Sequence, residues 1–168
     1  NMPSFGGGGM VLTDSEEVYD TVVSLRRHGI SGKDKYGYNS LISEDHANQL
    51  ILLLSKFDRL QGMRAKVCKR YEKNIPEVQM LCAGPGTKSS HHKLVILSDR
   101  RDELKAYLET KGVQTKIHYK KTLDSHNVGK YPNAENICAK ALSLPIYPHL
   151  KMKEVDYICD RIKEFMYV

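Results

Sequence analysis

The chain has 168 residues, 26 Lys and Arg against 20 Asp and Glu, and 40% hydrophobic residues. That is enough for a sizeable core and too balanced for a disordered tract. The longest apolar run, Leu50 to Leu54, is far short of the ~20 residues a membrane span needs. The start has no basic segment followed by an apolar stretch, so no secretory signal is expected and a cytoplasmic chain is. Four cysteines, Cys68, Cys82, Cys138 and Cys159, form no CxxC pair, and no His stands at zinc spacing from them. They read as free thiols. The net charge of +6 suits an anionic partner. Aromatic residues are not interleaved with the basic ones, which argues against a nucleic-acid platform; such a platform would bind with a steep salt dependence.

In chain order, Met10 to Thr13 reads as a short strand after the glycines Gly6 to Gly9. A helix then starts at Thr13 or Asp14, each with a Glu at capping-box spacing, and runs to His28-Gly29. Val18, Val22 and Leu25 line one of its faces. Residues 29 to 42 read as loop. The longest predicted helix starts at Ser43-Glu44-Asp45 and ends around Tyr71 to Asn74, before Pro76. Its middle, Leu50 to Leu54, has no wet face and is expected to be buried all round. A loop spans 82 to 90, and 92 to 97 (HKLVIL) reads as a strand. Asp99 caps a helix with Leu104, Tyr107 and Leu108, ended by Gly112. Val113, Thr115 and Ile117 alternate with polar residues as in a half-buried strand. Asn133 to Ala141 is a short helix. Met152, Val155, Ile158, Ile162 and Phe165 mark a last amphipathic one. The alternation of strand and helix from 92 onward gives an α/β or α+β fold.

The motifs are few. The glycine run is not a Walker loop: Gly32-Lys33 is followed by Asp34 and has Arg27 where the first glycine belongs. Nor is it a dinucleotide fingerprint, since the strand follows the glycines instead of preceding them. His91-His92, as neighbours in a strand, would point to opposite faces, so no metal site is expected there. His118-Tyr119 ends the alternating strand amid Lys116, Lys120 and Lys121. It can present an acid–base group and cations to a cleft, or be a solvated basic turn. Asn39, in a loop before the long helix, can donate to a phosphate oxygen or simply serve a turn.

In their order and spacing, SFGGGGMVLTDSEE, LRRHG, GYNS, RDELKAYLETKGVQTKIHY and ALSLPIYP resemble the pyridoxal-phosphate-dependent sugar aminotransferases of the DegT/DnrJ/StrS type. The resemblance spans nearly the whole chain and the C-terminal part of the family's length. It implies a fold-type I aminotransferase: residues 1–42 as the trailing edge of the large cofactor-binding domain, and 43–168 as the connecting helix and small C-terminal domain. It implies amino transfer, with glutamate as donor, to a keto group on a nucleotide-linked sugar, in a homodimer whose subunits share each active site. Carried over residue by residue, Ser4 binds the phosphate of pyridoxal phosphate, Asn39 reaches that phosphate in the neighbouring subunit's site, and His118 and Tyr119 line the substrate cleft. Asn48 replaces a common alanine, and Lys120-Lys121 replace a proline that often follows the His-Tyr pair.

The family lysine belongs four residues after Ser4, where Gly8 stands, and no lysine occurs before Lys33. Transamination needs that amine both to hold the cofactor and to move the proton at Cα. No catalytic residue is therefore assigned, and this polypeptide alone is expected to be inactive. The alternative is a non-catalytic α/β module, derived from that family, that dimerises or binds an anionic ligand.

Overall fold

A computed structural model describes residues 8–30, 36–122 and 130–167. The chain divides into two compact units, 1–57 and 58–168. The fold mixes helix and strand, as the sequence pattern requires.

In the first unit, α1 (Glu16–Leu25) and α2 (Glu44–Ser55) are the helices described. Ser15 caps α1 by accepting from the Val18 amide at 3.3 Å, in place of the expected Thr13 or Asp14. Thr13 instead accepts from the Ser15 amide at 3.0 Å. Ser43 caps α2 in the same manner through the His46 amide. Met10 to Thr13 do not form the expected strand: a strand needs a neighbour to take its amides and carbonyls, and none pairs with them among the described residues. Met10 and Leu12 are exposed.

The predicted helix from Ser43 to Asn74 is two helices. α2 stops at Ser55, and α3 (Phe57–Asn74) begins after Lys56, whose amide is shared between the Leu53 and Leu54 carbonyls. The apolar run is also not buried all round. Ile51, Leu52 and Leu54 are 68%, 57% and 60% exposed, so α2 carries more apolar surface than the described residues cover.

The second unit is built on a two-stranded antiparallel sheet. β1 (Leu94–Leu97) pairs with β2 (Ala141–Leu144) in the register Leu94↔Leu144, Val95↔Ser143, Ile96↔Leu142 and Leu97↔Ala141. Single bridges widen it on both edges, Met80↔Ile96 and Lys116↔Ser143. α4 (Arg101–Thr110), α5 (Pro132–Lys140) and α6 (Met152–Met166) complete the unit. Gly112 ends α4 at φ +74°, where a side chain would be strained. Pro132 opens α5 at its first turn, where a missing amide costs nothing.

Four expectations are corrected here. The strand begins at Leu94, so His91 and His92 precede it, and His91 has φ 47°. Asp99 is not the cap of α4; Arg100 stands there, and Asp99 pairs with Lys140 at 2.7 Å. Ala141 leaves its helix for β2, with an extended ψ of 126°. The strand expected over 113–117 contracts to the one bridge at Lys116.

Strand alternation puts Leu94, Ile96, Leu142 and Leu144 on one face of the sheet. They join Val67 and Tyr71 of α3, Leu104 and Leu108 of α4, and Val155, Ile158 and Ile162 of α6 in one buried cluster. Burying such side chains stabilises by about 1.5–3 kcal/mol each before the entropy cost. Polar contacts fix how α3 meets α6. Arg70 donates to both carboxylate oxygens of Asp156 at 2.6 and 2.7 Å, and Asn74 adds a third bond at 2.6 Å. The buried Tyr71 hydroxyl donates to the Pro145 carbonyl at 3.1 Å.

Candidate functional site

The face of the sheet opposite the core carries the candidate site. Ser143 is the odd residue of the buried run Leu142-Ser143-Leu144, so its side chain points away from the two leucines. Its backbone is tied to Lys116 twice: the Lys116 amide donates to the Ser143 carbonyl at 3.1 Å, and the Ser143 amide donates back at 2.9 Å. Two residues beyond Lys116 stands His118, whose Nδ1 lies 2.9 Å from Ser143 Oγ. Lys93, two residues before the Val95 that pairs with Ser143, joins the same face. Its Nζ lies over the Tyr119 ring, 4.9 Å from the centroid, a cation–π distance. The His118 and Tyr119 rings are tilted, with centroids 6.5 Å apart.

This neighbourhood is positive. Partial burial, then the charges of Lys93 and Lys116 and the nearby His92, hold His118 below the ordinary imidazole value. The ring is thus neutral at pH 7, with one nitrogen a donor and the other an acceptor. His92 is lowered too, first by desolvation and then by neighbouring positive groups that include Lys93 and Arg64. A neutral imidazole, an exposed tyrosine and two lysines can bind the oxygens of an anion while leaving an uncharged hydrogen-bonding group beside it.

The sequence-predicted residues fall as follows. His118 and Tyr119 are together, as neighbours at the end of the Lys116 bridge. Ser4 lies outside the described residues. Asn39 is in the first unit, exposed, and held in a backbone clasp. His28 donates to the Tyr38 carbonyl at 3.1 Å, Tyr38 donates to the Leu25 carbonyl at 2.6 Å, and Ser40 donates to the Arg26 carbonyl at 3.3 Å. The Arg27↔Asn39 bridge lies inside this clasp. Lys93 and Ser143 are members of the site that sequence reasoning missed. The usable signal was alternation in LSL, which puts a polar side chain on the face away from the leucines.

Comparison with known proteins gives a consistent result. The DegT/DnrJ/EryC1/StrS aminotransferase family matches residues 1–163. A pleiotropic regulatory protein of Geobacillus stearothermophilus is 32% identical, over 98% of this chain and 49% of its own length. The dTDP-3-amino-3,4,6-trideoxy-alpha-D-glucose transaminase of Streptomyces venezuelae is 28% identical, over 98% of this chain and 47% of its own. Among solved structures, S. venezuelae DesV in complex with a ketimine intermediate superposes with a TM-score of 0.84 at 26% identity, over 92% of this chain and 45% of that one. A DegT DnrJ EryC1 StrS aminotransferase from Brucella abortus gives 0.82 at 28% identity, over 91% and 44%. The chain spans about half the length of the curated relatives it matches.

Proposed function

Because the chain belongs to the DegT/DnrJ/EryC1/StrS aminotransferase family, we propose that it is the C-terminal part of a pyridoxal-phosphate-dependent aminotransferase acting on a nucleotide-linked keto sugar, with glutamate as amino donor. The observation that carries this reading is the positive face around Ser143. His118 and Tyr119 stand there beside Lys93 and Lys116, an arrangement suited to the diphosphate of a nucleotide sugar. The Streptomyces venezuelae relative, named as a transaminase of a dTDP-linked sugar, supports the substrate class. Cys68 and Cys159 are buried free thiols, each pushed up to about 12 first by desolvation, and so are inert at neutral pH.

The cofactor fits this chain only in part. Asn39 offers an exposed amide for a phosphate oxygen, from a clasp that fixes its backbone. In the homodimer we propose, it serves the neighbouring subunit's site, with Ser4 as the other phosphate contact. The amine is lacking: Gly8 stands where the lysine belongs, and no lysine occurs before Lys33. The alignment to the Geobacillus relative runs over 183 residues, longer than the 168 of this chain, so that relative carries residues with no counterpart here. We therefore assign no catalytic residue, and this polypeptide alone is inactive in transamination. The second reading, a non-catalytic module that dimerises or binds an anion, is favoured by the same missing lysine together with the exposed apolar residues of α2.

Two measurements test this. Incubating the chain with pyridoxal phosphate, reducing with borohydride and mapping peptides should mark no lysine preferentially; one lysine labelled stoichiometrically would overturn the inactive assignment. Titrating UDP or dTDP should move the His118 ring resonances and raise the pH at which the ring titrates, since a nearby anion favours imidazolium. Unmoved resonances would remove the nucleotide-sugar reading of this face.

A further inference from the structure

The bond between Ser143 and His118 joins the most anchored residue of this face to its most versatile one. Ser143 stands opposite Val95 in β1 and is bonded reciprocally to Lys116, so its backbone is fixed between two neighbouring segments. It is 8% exposed, whereas His118 is open to solvent. Resting on the reading of His118 as a ligand-facing residue, we propose that Ser143 is its positioning residue: the hydroxyl donates to Nδ1, holds the ring in the Nε2–H tautomer, and leaves Nε2–H as the donor to an oxygen of a nucleoside diphosphate.

The choice of donor follows from charge. A serine hydroxyl rotates and can either donate or accept, so the ring decides. An imidazolium would need Ser143 to accept, and Lys93, Lys116 and His92 together oppose that charge. The neutral ring has two tautomers. Only the one with an unprotonated Nδ1 accepts the hydroxyl proton and keeps its N–H on the nitrogen left free for a ligand. An Nδ1–H ring would turn a lone pair toward the incoming phosphate oxygens, two acceptors facing each other. The strand pairing makes the arrangement rigid: Ser143 cannot shift without breaking the Lys116 and Val95 pairings, so the ring is aimed before the ligand arrives.

The test uses the full chain labelled with 15N-histidine, with the His118 signals assigned by their loss in His118→Gln. Long-range 1H–15N correlation above the titration range should show His118 as Nε2–H in the parent. In Ser143→Ala the Nδ1–H fraction should rise and UDP affinity should fall about three- to tenfold, the range for one hydrogen bond. Ser143→Thr, which keeps the hydroxyl, should restore both. A parent ring found as Nδ1–H overturns the proposal without any variant, so a Ser143→Ala chain that fails to fold does not protect it. A Ser143→Ala tautomer ratio equal to the parent's also overturns it. If UDP leaves the parent's His118 unmoved, the nucleotide reading of the site fails and the proposed donor role toward a diphosphate falls with it. A tautomer shift in Ser143→Ala would then still establish the serine's hold on the ring.

Discussion

Gly37 packs against Gly29 with no space for a side chain. A Cβ on Gly37 would collide with the Gly29 nitrogen and the His28 carbonyl carbon. Both are backbone atoms, so nothing can swing aside. His28 and Gly29 are themselves fixed in the left-handed region, at φ 63° and 74°. Gly37→Ala should therefore open the clasp that presents Asn39, at a cost of about 1–3 kcal/mol locally. The readout is amide hydrogen exchange: His28, Tyr38 and Ser40 should exchange much faster, while the amides of β1 and β2 stay as protected as in the parent. Unchanged exchange at the first three would mean the clasp does not depend on this approach.

Gly62 gives the opposite sign. It is exposed within α3, and a Cβ there would meet nothing within 4 Å. Glycine inside a helix costs about 0.5–1 kcal/mol relative to alanine through chain entropy. Gly62→Ala should raise stability by that amount in urea denaturation with the m-value unchanged.

Leu142 and Ile96 face each other across the sheet, and both are wholly buried. Leu142→Ala should cost about 2–5 kcal/mol, from lost transfer energy plus the cavity left behind. Urea midpoints would read it. A loss below 1 kcal/mol would mean the core collapses around the site more easily than the strand pairing suggests.

Much of this second unit was legible in the sequence. The apolar spacing of α6, the Gly112 stop and the start of α5 near Pro132 are local signals, and the structure keeps them. β2 was not legible, because Ala141 passes from helix to strand with no turn residue between and alanine suits a helix. The break at Lys56 was hidden for a similar reason: no glycine or proline marks it, and the backbone makes it through one shared amide. Met10 to Thr13 have strand composition but no strand neighbour among the described residues, which no local pattern can reveal. In the candidate site, His118 and Tyr119 stood out as a strand end among lysines. Ser143 is 25 residues away from His118, and only the Lys116 pairing brings it there.

The Asp156 carboxylate gives a pH prediction. The hydrogen bond from Arg70, with help from Asn74, holds it below the usual carboxylate range. Its folded value is depressed, so its contribution to stability is fully present above the unfolded value of about 3.9 and is lost as pH falls through the folded one. Asp156→Asn should lower the melting temperature near neutral pH, and the gap from the parent should close below about pH 3.9. A gap that stays constant down to pH 2 would mean the charge is not what Asp156 supplies.

Lys93 tests the electrostatics of the candidate site directly. Its ammonium stands over Tyr119 and is the first of the charges that hold His118 low, after partial burial. Removing a positive neighbour favours imidazolium, so Lys93→Ala should raise the pH at which His118 titrates toward the ordinary value of about 6.5. It need not reach it, because Lys116 and His92 remain. The stability consequence has a defined sign. A histidine whose folded value is lowered makes the fold lose stability as pH drops from about 6.5 toward the folded value, since the unfolded chain takes up the proton first. Lys93→Ala should shrink that acid loss, while weakening UDP binding most strongly at low salt, where a lysine's attraction for a diphosphate is least screened. An His118 titration that does not move would mean that Lys93 is not among the charges that set it. A UDP affinity that falls equally at high and low salt would mean Lys93 acts by packing on Tyr119 and not by its charge.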